Sequence, residues 1–330
     1  MAMATRFEIV LHGEKESWLR SVAEEVLDEI EKLDSKLSLY NPASQIARVN
    51  RQAAVSPVKI DPLIFNLLQR CASLSQATKG AFDITMGPLI QCWGFMKGTG
   101  EQPSESAIQR SLELVGMQHV QLDPSDYTVG FDKEGVMLDL GAVGKGYALE
   151  VATEILQDYE VENAIIHGGT STISAIGKPP EDDAWNVAVL KPERDPAFPY
   201  YVASDDPASD LETEDILTLV PLVDQSLSVS AVWGKSFQTG SRTFGHVVDG
   251  RTGYPAKGHW MAGLVCDNTT DSDALSTAML VDGMKAVQAI QSIHPTASWL
   301  LVNQGKSESD YEVHLKGLKL KSDDPSASTN

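Results

Sequence analysis

Apolar residues recur at three- and four-residue spacing through Leu19, Val22, Val26, Ile30, Leu33 and Leu37, with Glu and Lys filling most positions between. That period predicts one long amphipathic helix with a single buried stripe. The run before it, residues 6–12 (FEIVLHG), reads as a strand closed by glycine. Asn41-Pro42 then breaks the helical period across 38–51, and a second amphipathic helix is expected over 62–78, closed by Lys79-Gly80. Helical pattern returns over 105–115. Three short β-rich runs, 119–122, 127–131 and 136–138, are spaced by turn residues and predict a small meander. A helix over 144–158 is followed by strands over 163–166, 172–176, 185–190, 227–232 and 261–266, and two helical runs begin at Ser272. Helices and strands interleave throughout. The expected fold is therefore α+β (mixed α/β), one large domain over 1–318 with mostly antiparallel strands.

Between 191 and 215 the composition turns to Pro, Ser and acid, which predicts a solvated insertion, and the polar residues 319–330 read as a disordered tail. The whole chain of 330 residues is 42% hydrophobic and 22% charged, enough for a real core. Acids outnumber bases 46 to 26, a formal charge of −20, so phosphate backbones are repelled and nucleic acid is excluded as a partner. No apolar stretch approaches the roughly 20 residues of a membrane span. Cys71, Cys92 and Cys266 are too few and too scattered for a disulfide framework and suit a reducing compartment. As the chain stands it reads as cytoplasmic; a trimmed export signal would make it periplasmic.

Four clusters are richer in Gly, Asp, Thr and His than packing requires. Gly80-Ala81-Phe82-Asp83 follows a helix, with Trp93-Gly94-Phe95 ten residues on; a helix cap with core aromatics explains it as well as a ligand does. Leu138–Tyr147 (LDLGAVGKGY) carries a strand into a helix through three glycines and a lysine. Backbone amides there suit a phosphate, although the GxxxxGK[ST] order is absent and a tight helix–strand junction accounts for it equally. His167-Gly168-Gly169-Thr170 ends a strand. In Gly245–Pro255 (GHVVDGRTGYP), His246 precedes an acid by three residues, as a general base or as an ordinary hydrogen-bonded strand residue. Finally Asp273 and Thr277, four apart on one helix face, form a hard-oxygen pair suited to Mg²⁺, while Asp and Ser are also ordinary helix starters.

Taken together and in order, these motifs resemble the FAD:protein FMN transferases, the ApbE family, from Met3 to about Gly283. The matching segments are LSLYNPASQIARVN, TKGAFDITMGPL with WGF, LDLGAVGKGYALE, HGG, HVVDGRTGYP and SDALSTA. The resemblance implies a transferase that binds FAD with Mg²⁺ and moves FMN to a Thr or Ser hydroxyl of an acceptor flavoprotein, releasing AMP. The acceptor would carry an Asp-Gly-x-Thr/Ser-Gly-type motif. The family's flavin contacts fall on Tyr40, Ala81, Phe82 and Asp83, and its nucleotide contacts on Asp139, Lys145 and Val247. Its metal ligands fall on the Ala142 carbonyl, Asp273 and Thr277, and its base on His246. An FAD pyrophosphatase and a non-catalytic FAD-binding protein are the competing functions. The sequence departs from the family pattern at Thr170, where an Asp is usual after Gly-Gly, at Gly250, where Pro is usual, and at Ala4, where Gly is common.

Overall fold

All six positions of the stripe from Leu19 to Leu37 are buried in the computed structural model, which describes residues 2–98, 100–192, 215–232, 236–239, 242–305 and 310–321. In chain order its first half holds β1 (Phe7–His12), α1 (Glu16–Leu37), α2 (Gln45–Gln52), β2 (Val58–Lys59), α3 (Pro62–Ala77), α4 (Gly87–Cys92), α5 (Glu105–Leu112), β3 (Val120–Asp123), β4 (Thr128–Phe131) and α6 (Gly144–Asp158). The strands β5 (Asn163–Gly168), β6 (Thr172–Ile176), β7 (Trp185–Leu190), β8 (Ile216–Leu222), β9 (Ser226–Ala231), β10 (Ser236–Thr239), β11 (Arg242–Gly245) and β12 (His259–Cys266) follow. Then come α7 (Thr269–Asp282), α8 (Met284–Ile293), β13 (Ser298–Gln304) and β14 (Tyr311–Lys316).

Seven strands form one antiparallel sheet in the order β1-β5-β6-β9-β12-β13-β14. Alternation sends Ala164 and Ile166 to the helix-covered face with Leu149 and Val26, and Ile165 to the other face. The β7–β8 ribbon covers that second face, placing Trp185, Val187 and Leu222 over Ile173, Val265 and Val302. The sheet is thus a buried middle layer, with helices on one side and a ribbon on the other. An ion network pins the helices: Arg70 on α3 reaches Asp271 on α7 at 2.8 Å and Glu150 on α6 at 2.9 Å, and His294, just past α8, meets Asp271 at 2.8 Å.

Several expectations are corrected. Segment 38–51 contains α2, because Ser44 caps a helix whose Ile46, Ala47 and Val49 are buried. Residues 136–138 form no strand; the Asn50 side-chain amide takes both backbone groups of Leu138, at 2.8 and 2.9 Å, and Gly87 N–H bonds Met137 O. The small sheet is instead β2-β4-β3. α7 begins at Thr269, three residues before Ser272, with Asn268 as its cap. Strands β8, β13 and β14 and the β10–β11 hairpin were not expected from the periodicity, and β11 ends at Gly245, so His246 follows the strand rather than lying on it.

Of the acidic insertion, 193–214 lie outside the described residues, as do 322–330. The Lys191 amide donates to Asp215 O at 2.8 Å, so the insertion leaves and re-enters at one point of the β7–β8 hairpin. Residues 319–321, read from sequence as tail, run beside β8, with Thr218 Oγ1 donating to Lys319 O and Lys321 N–H to Leu217 O.

Candidate functional site

The site is assembled around residues 137–146. Asp139 N–H bonds Ile84 O at 2.7 Å, laying this stretch beside the Ala81–Asp83 loop, and Asp139 Oδ1 accepts from Gly141 N–H at 2.8 Å to start the turn into α6. The N-cap Val143 offers α6 no side-chain cap and no acid lies in the helix's own first turn, so the carboxylate that meets its N-terminal amides is Asp273 of α7. Across from it, the loop after α1 is braced by its own hydroxyls: Ser38 Oγ accepts from Tyr40 and Asn41 N–H, and Ser44 Oγ donates to Ser38 O. That bracing leaves Tyr40 67% exposed, with its hydroxyl held above the usual phenol range by partial burial and by the Asp139 carboxylate.

Asp273 is the most deeply buried acid of the site. It is 4% exposed, yet Gly146 N–H donates to its Oδ2 at 2.9 Å, Thr172 Oγ1 donates to its Oδ1 at 3.2 Å, and Lys145 Nζ lies 3.5 Å from Oδ1. One turn along α7, Thr277 Oγ1 donates to the Asp273 carbonyl and meets Ser230 Oγ at 3.1 Å. The pair stands on a row of hydroxyls between β9 and α7, in which Ser228 meets Ser272 at 2.7 Å and Ser230 meets Ser276 at 2.9 Å. Gly146 is required by this packing, since a Cβ there would lie 2.4 Å from Thr269 O.

These residues fit a hard cation. A buried carboxylate that already draws an ammonium is a site for positive charge, and the hydroxyl of Thr277 is one helical turn away. Among the described residues no group of three or more His, Cys, Asp or Glu side chains forms a metal cage. A cation here would take most of its ligands from backbone, water and substrate, which is the habit of Mg²⁺ rather than of zinc.

His246 and Val247 follow β11 directly. Gly245 approaches the Val232 carbonyl so closely that a Cβ would lie 2.7 Å from it, and Val232 is two residues beyond Ser230, the partner of Thr277. The turn after His246 is tied to the same helix. Arg251 grips Asp249 at 2.8 Å and Asp282, the last residue of α7, at 2.9 Å, and Trp93 Nε1 donates to Gly253 O at 2.8 Å. Trp93 itself packs tilted against Phe244 and edge-on against Tyr254, giving the turn an aromatic base. Val247 O accepts from Ala256 N–H at 2.9 Å across this hairpin.

Ala81, Phe82 and Asp83 are buried, Phe82 at 1% exposure within the core. Asp83 accepts from Thr85 N–H and Oγ1, from Ser75 Oγ and from Met117 N–H, so its carboxylate braces loop 115–118. Its loop also lines a cleft of about 440 Å³, whose opposite wall is Gly250 and Arg251. The structure thus groups Tyr40, Asp139, Ala142, Lys145, Asp273 and Thr277 around the start of α6 and α7, with Asp83 and the His246 turn meeting across the cleft. Sequence reasoning missed Thr172 and Ser230, and saw Gly146 only as one of the three glycines of the strand-to-helix junction. Only the hydroxyl-rich run Thr170-Ser171-Thr172 after the glycines hinted at the first of them.

A family profile described as ApbE family matches residues 3–300. The FAD:protein FMN transferase of Haemophilus influenzae is 24% identical over 294 residues, covering 86% of this chain and 80% of its own. That of Klebsiella pneumoniae is 25% identical over 263 residues, covering 80% and 72%. Among solved structures, the ApbE protein of Thermotoga maritima superposes with a TM-score of 0.79 at 27% identity, over 93% of this chain and 94% of that one. The flavin transferase ApbE of Vibrio cholerae gives 0.78 at 19% identity, over 96% and 95%, a likeness of fold.

Proposed function

The chain belongs to the ApbE family, and from that premise we propose that it binds FAD with Mg²⁺ and transfers FMN to a Thr or Ser hydroxyl of an acceptor flavoprotein, releasing AMP. The observation that carries the reading is Asp273, a buried carboxylate held by the Gly146 amide and Thr172 beside Lys145, on a helix that Arg251 also ties to the His246 turn. A site for binding alone would need no histidine beside a turn tied to the helix of that carboxylate.

In the reaction the acceptor oxygen bonds to the riboflavin-side phosphorus of FAD, and the bond from that phosphorus to the bridging oxygen breaks. AMP departs with the bridging oxygen. The hydroxyl proton passes to an imidazole nitrogen of His246, a base contribution of roughly 10²–10⁴-fold. Lys145 at the start of α6 holds the pyrophosphate, because an ammonium beside a helix N-terminus favours its charge. Tyr40 and the loop of Ala81, Phe82 and Asp83 orient the flavin half, and Asp139 and Val247 flank the nucleotide. Asp273, Thr277 and the Ala142 carbonyl would hold Mg²⁺, which supplies neutralisation of the phosphoryl oxygens as charge develops on them.

The acceptor is expected to present an Asp-Gly-x-Thr/Ser-Gly-type segment. No helix among the described residues is long and apolar enough to cross a membrane. Three free thiols, two of them buried, suit a reducing compartment such as the cytoplasm, and a trimmed export signal would place the protein in the periplasm instead.

The deciding experiment incubates the protein with FAD and Mg²⁺, with and without a peptide carrying Asp-Gly-x-Thr-Gly-Ala-Thr, and follows AMP release and peptide mass. A peptide that gains the mass of FMN supports the transferase. AMP and free FMN with unmodified peptide would replace it with a pyrophosphatase, and tight FAD binding without AMP would replace it with a binding protein.

A further inference from the structure

We propose that Thr172 is a positioning residue that fixes the carboxylate of Asp273 for its cation; the proposal rests on the reading of Asp273 as a metal ligand. Thr172 opens β6 directly after the Gly168–Ser171 turn and is fully buried. A fully buried strand position ordinarily holds Val or Ile, and a hydroxyl there is costly unless it is paired. Its Oγ1 is paired with Asp273 Oδ1 at 3.2 Å, and because an ionised carboxylate only accepts, the hydroxyl is the donor.

The donor is itself held still. Thr172 sits opposite Gly168 on β5 and Ser228 on β9, and Val229 N–H bonds Ser171 O at 2.7 Å. The preceding turn is clamped to the N-terminal segment: Gly169 N–H bonds Arg6 O at 2.9 Å, and Gly169 takes a φ of +67° where a Cβ would lie 2.3 Å from Thr5 Oγ1. Thr172 therefore reaches Asp273 from a backbone paired on both sides.

The consequence for Asp273 is orientational. Thr172 holds Oδ1 and the Gly146 amide holds Oδ2, so turning the carboxylate about its Cβ–Cγ bond breaks both hydrogen bonds at once. Each oxygen keeps a further lone pair, and Oδ1 is the one that Lys145 Nζ approaches at 3.5 Å. Hydrogen bonds behind a ligating carboxylate set its direction, and their loss ordinarily weakens metal binding by about 10–100-fold.

The test titrates Mn²⁺ into the full-length protein saturated with ADP, reading free Mn²⁺ by electron paramagnetic resonance, for wild type, Thr172→Val, Thr172→Ser, Thr172→Cys and Asp273→Ala. Thr172→Val is expected to raise the Mn²⁺ dissociation constant by about 10–100-fold, Thr172→Ser to restore it to within a few-fold of wild type, and Asp273→Ala to bind no Mn²⁺ at this site. In turnover with Mg²⁺, Thr172→Val should need more metal for half-maximal rate while approaching the wild-type rate at saturation. Thr172→Cys, whose thiol is a weak donor, should fall between and serves if the valine variant does not fold. Wild-type Mn²⁺ affinity in Thr172→Val or Thr172→Cys, with binding lost in Asp273→Ala, would overturn the role of Thr172 and leave the metal reading standing. Wild-type affinity in Asp273→Ala would overturn both.

Discussion

The amide of Gly146 donates to the carboxylate of Asp273 across 2.9 Å, joining the first turn of α6 to the first turns of α7. This bond exists because residue 146 has no side chain: a Cβ would meet Thr269 O at 2.4 Å and Asp273 Cβ at 2.6 Å. Gly146→Ala should therefore push the two helices apart and cost about 1–3 kcal/mol, the range for an overpacked core. A lowered melting temperature together with a raised Mg²⁺ requirement is the expected pair of results; an unshifted melt would mean that the helices separate freely.

His246→Ala should leave the FAD dissociation constant close to wild type while transfer to the acceptor falls by roughly 10²–10⁴-fold. The base acts on the acceptor hydroxyl, whereas the proposed pyrophosphate contact, Lys145, lies at the start of α6. Equilibrium FAD binding and single-turnover transfer check the two halves separately, and equal losses in both would remove the assignment of His246 as base.

Asp273→Ala should abolish metal-dependent turnover. The truncation removes the carboxylate and also leaves Thr172, Lys145 and the Gly146 amide without their shared partner. Rate measured against Mg²⁺ concentration tests it, and activity that stays at the wild-type level and sensitive to chelator would take the metal role away from this residue.

Trp93→Phe keeps an aromatic ring beside Phe244 and Tyr254 and deletes the 2.8 Å hydrogen bond to Gly253 O. Leaving that carbonyl unpaired should cost about 1–3 kcal/mol. Because Gly253 belongs to the turn after His246, the acceptor-dependent rate is expected to fall while FAD affinity holds. A rate unchanged in the face of lowered stability would separate the turn from the chemistry.

His167 lies on β5 opposite Glu8 of β1, and burial pushes its pKa below the usual imidazole value while Glu8 pulls it part of the way back. The folded protein thus takes up this proton less readily than the unfolded chain, whose imidazole titrates near 6.5. The contribution of His167 is complete above that value and is lost as pH falls from about 6.5 toward the lower folded pKa. Denaturant midpoints at pH 7.5 and 5.5 should converge in His167→Asn relative to wild type; an unchanged gap would exclude His167 as its source.

The parts of the fold legible in the sequence were those with one buried face. The six apolar residues of α1, the bounds of α6 at Gly144 and Asp158, and the alternation of β7 all follow from a single stripe meeting a single neighbour. α7 was harder, since twelve of its fourteen residues are buried and no polar face marks its start. The run at 136–138 misled for the opposite reason: Val136 and Leu138 are buried as in a strand, but their chain is satisfied by the Asn50 side chain and by Gly87 rather than by a ladder. Of the site, the motif residues were visible because Gly, Asp and His stand out against packing. Thr172 was not, because one more threonine in a strand looks like β propensity until its partner across 101 residues is known.

The row of serines between β9 and α7 has a last consequence for how this protein tolerates change. An apolar interface lets a helix creep along a sheet by small adjustments of many weak contacts. Ser226 and Ser228 instead both meet Ser272, and Ser230 meets both Ser276 and Thr277, so sliding α7 by a single residue, about 1.5 Å, would uncouple them together. Each linked set of hydroxyls is then a unit of inheritance: exchanging one for a methyl strands its mates, whereas exchanging the whole set together costs little. Drift along this seam is expected in coordinated steps, and the spacing between Asp273 and the strands beneath it is passed on unchanged with each of them.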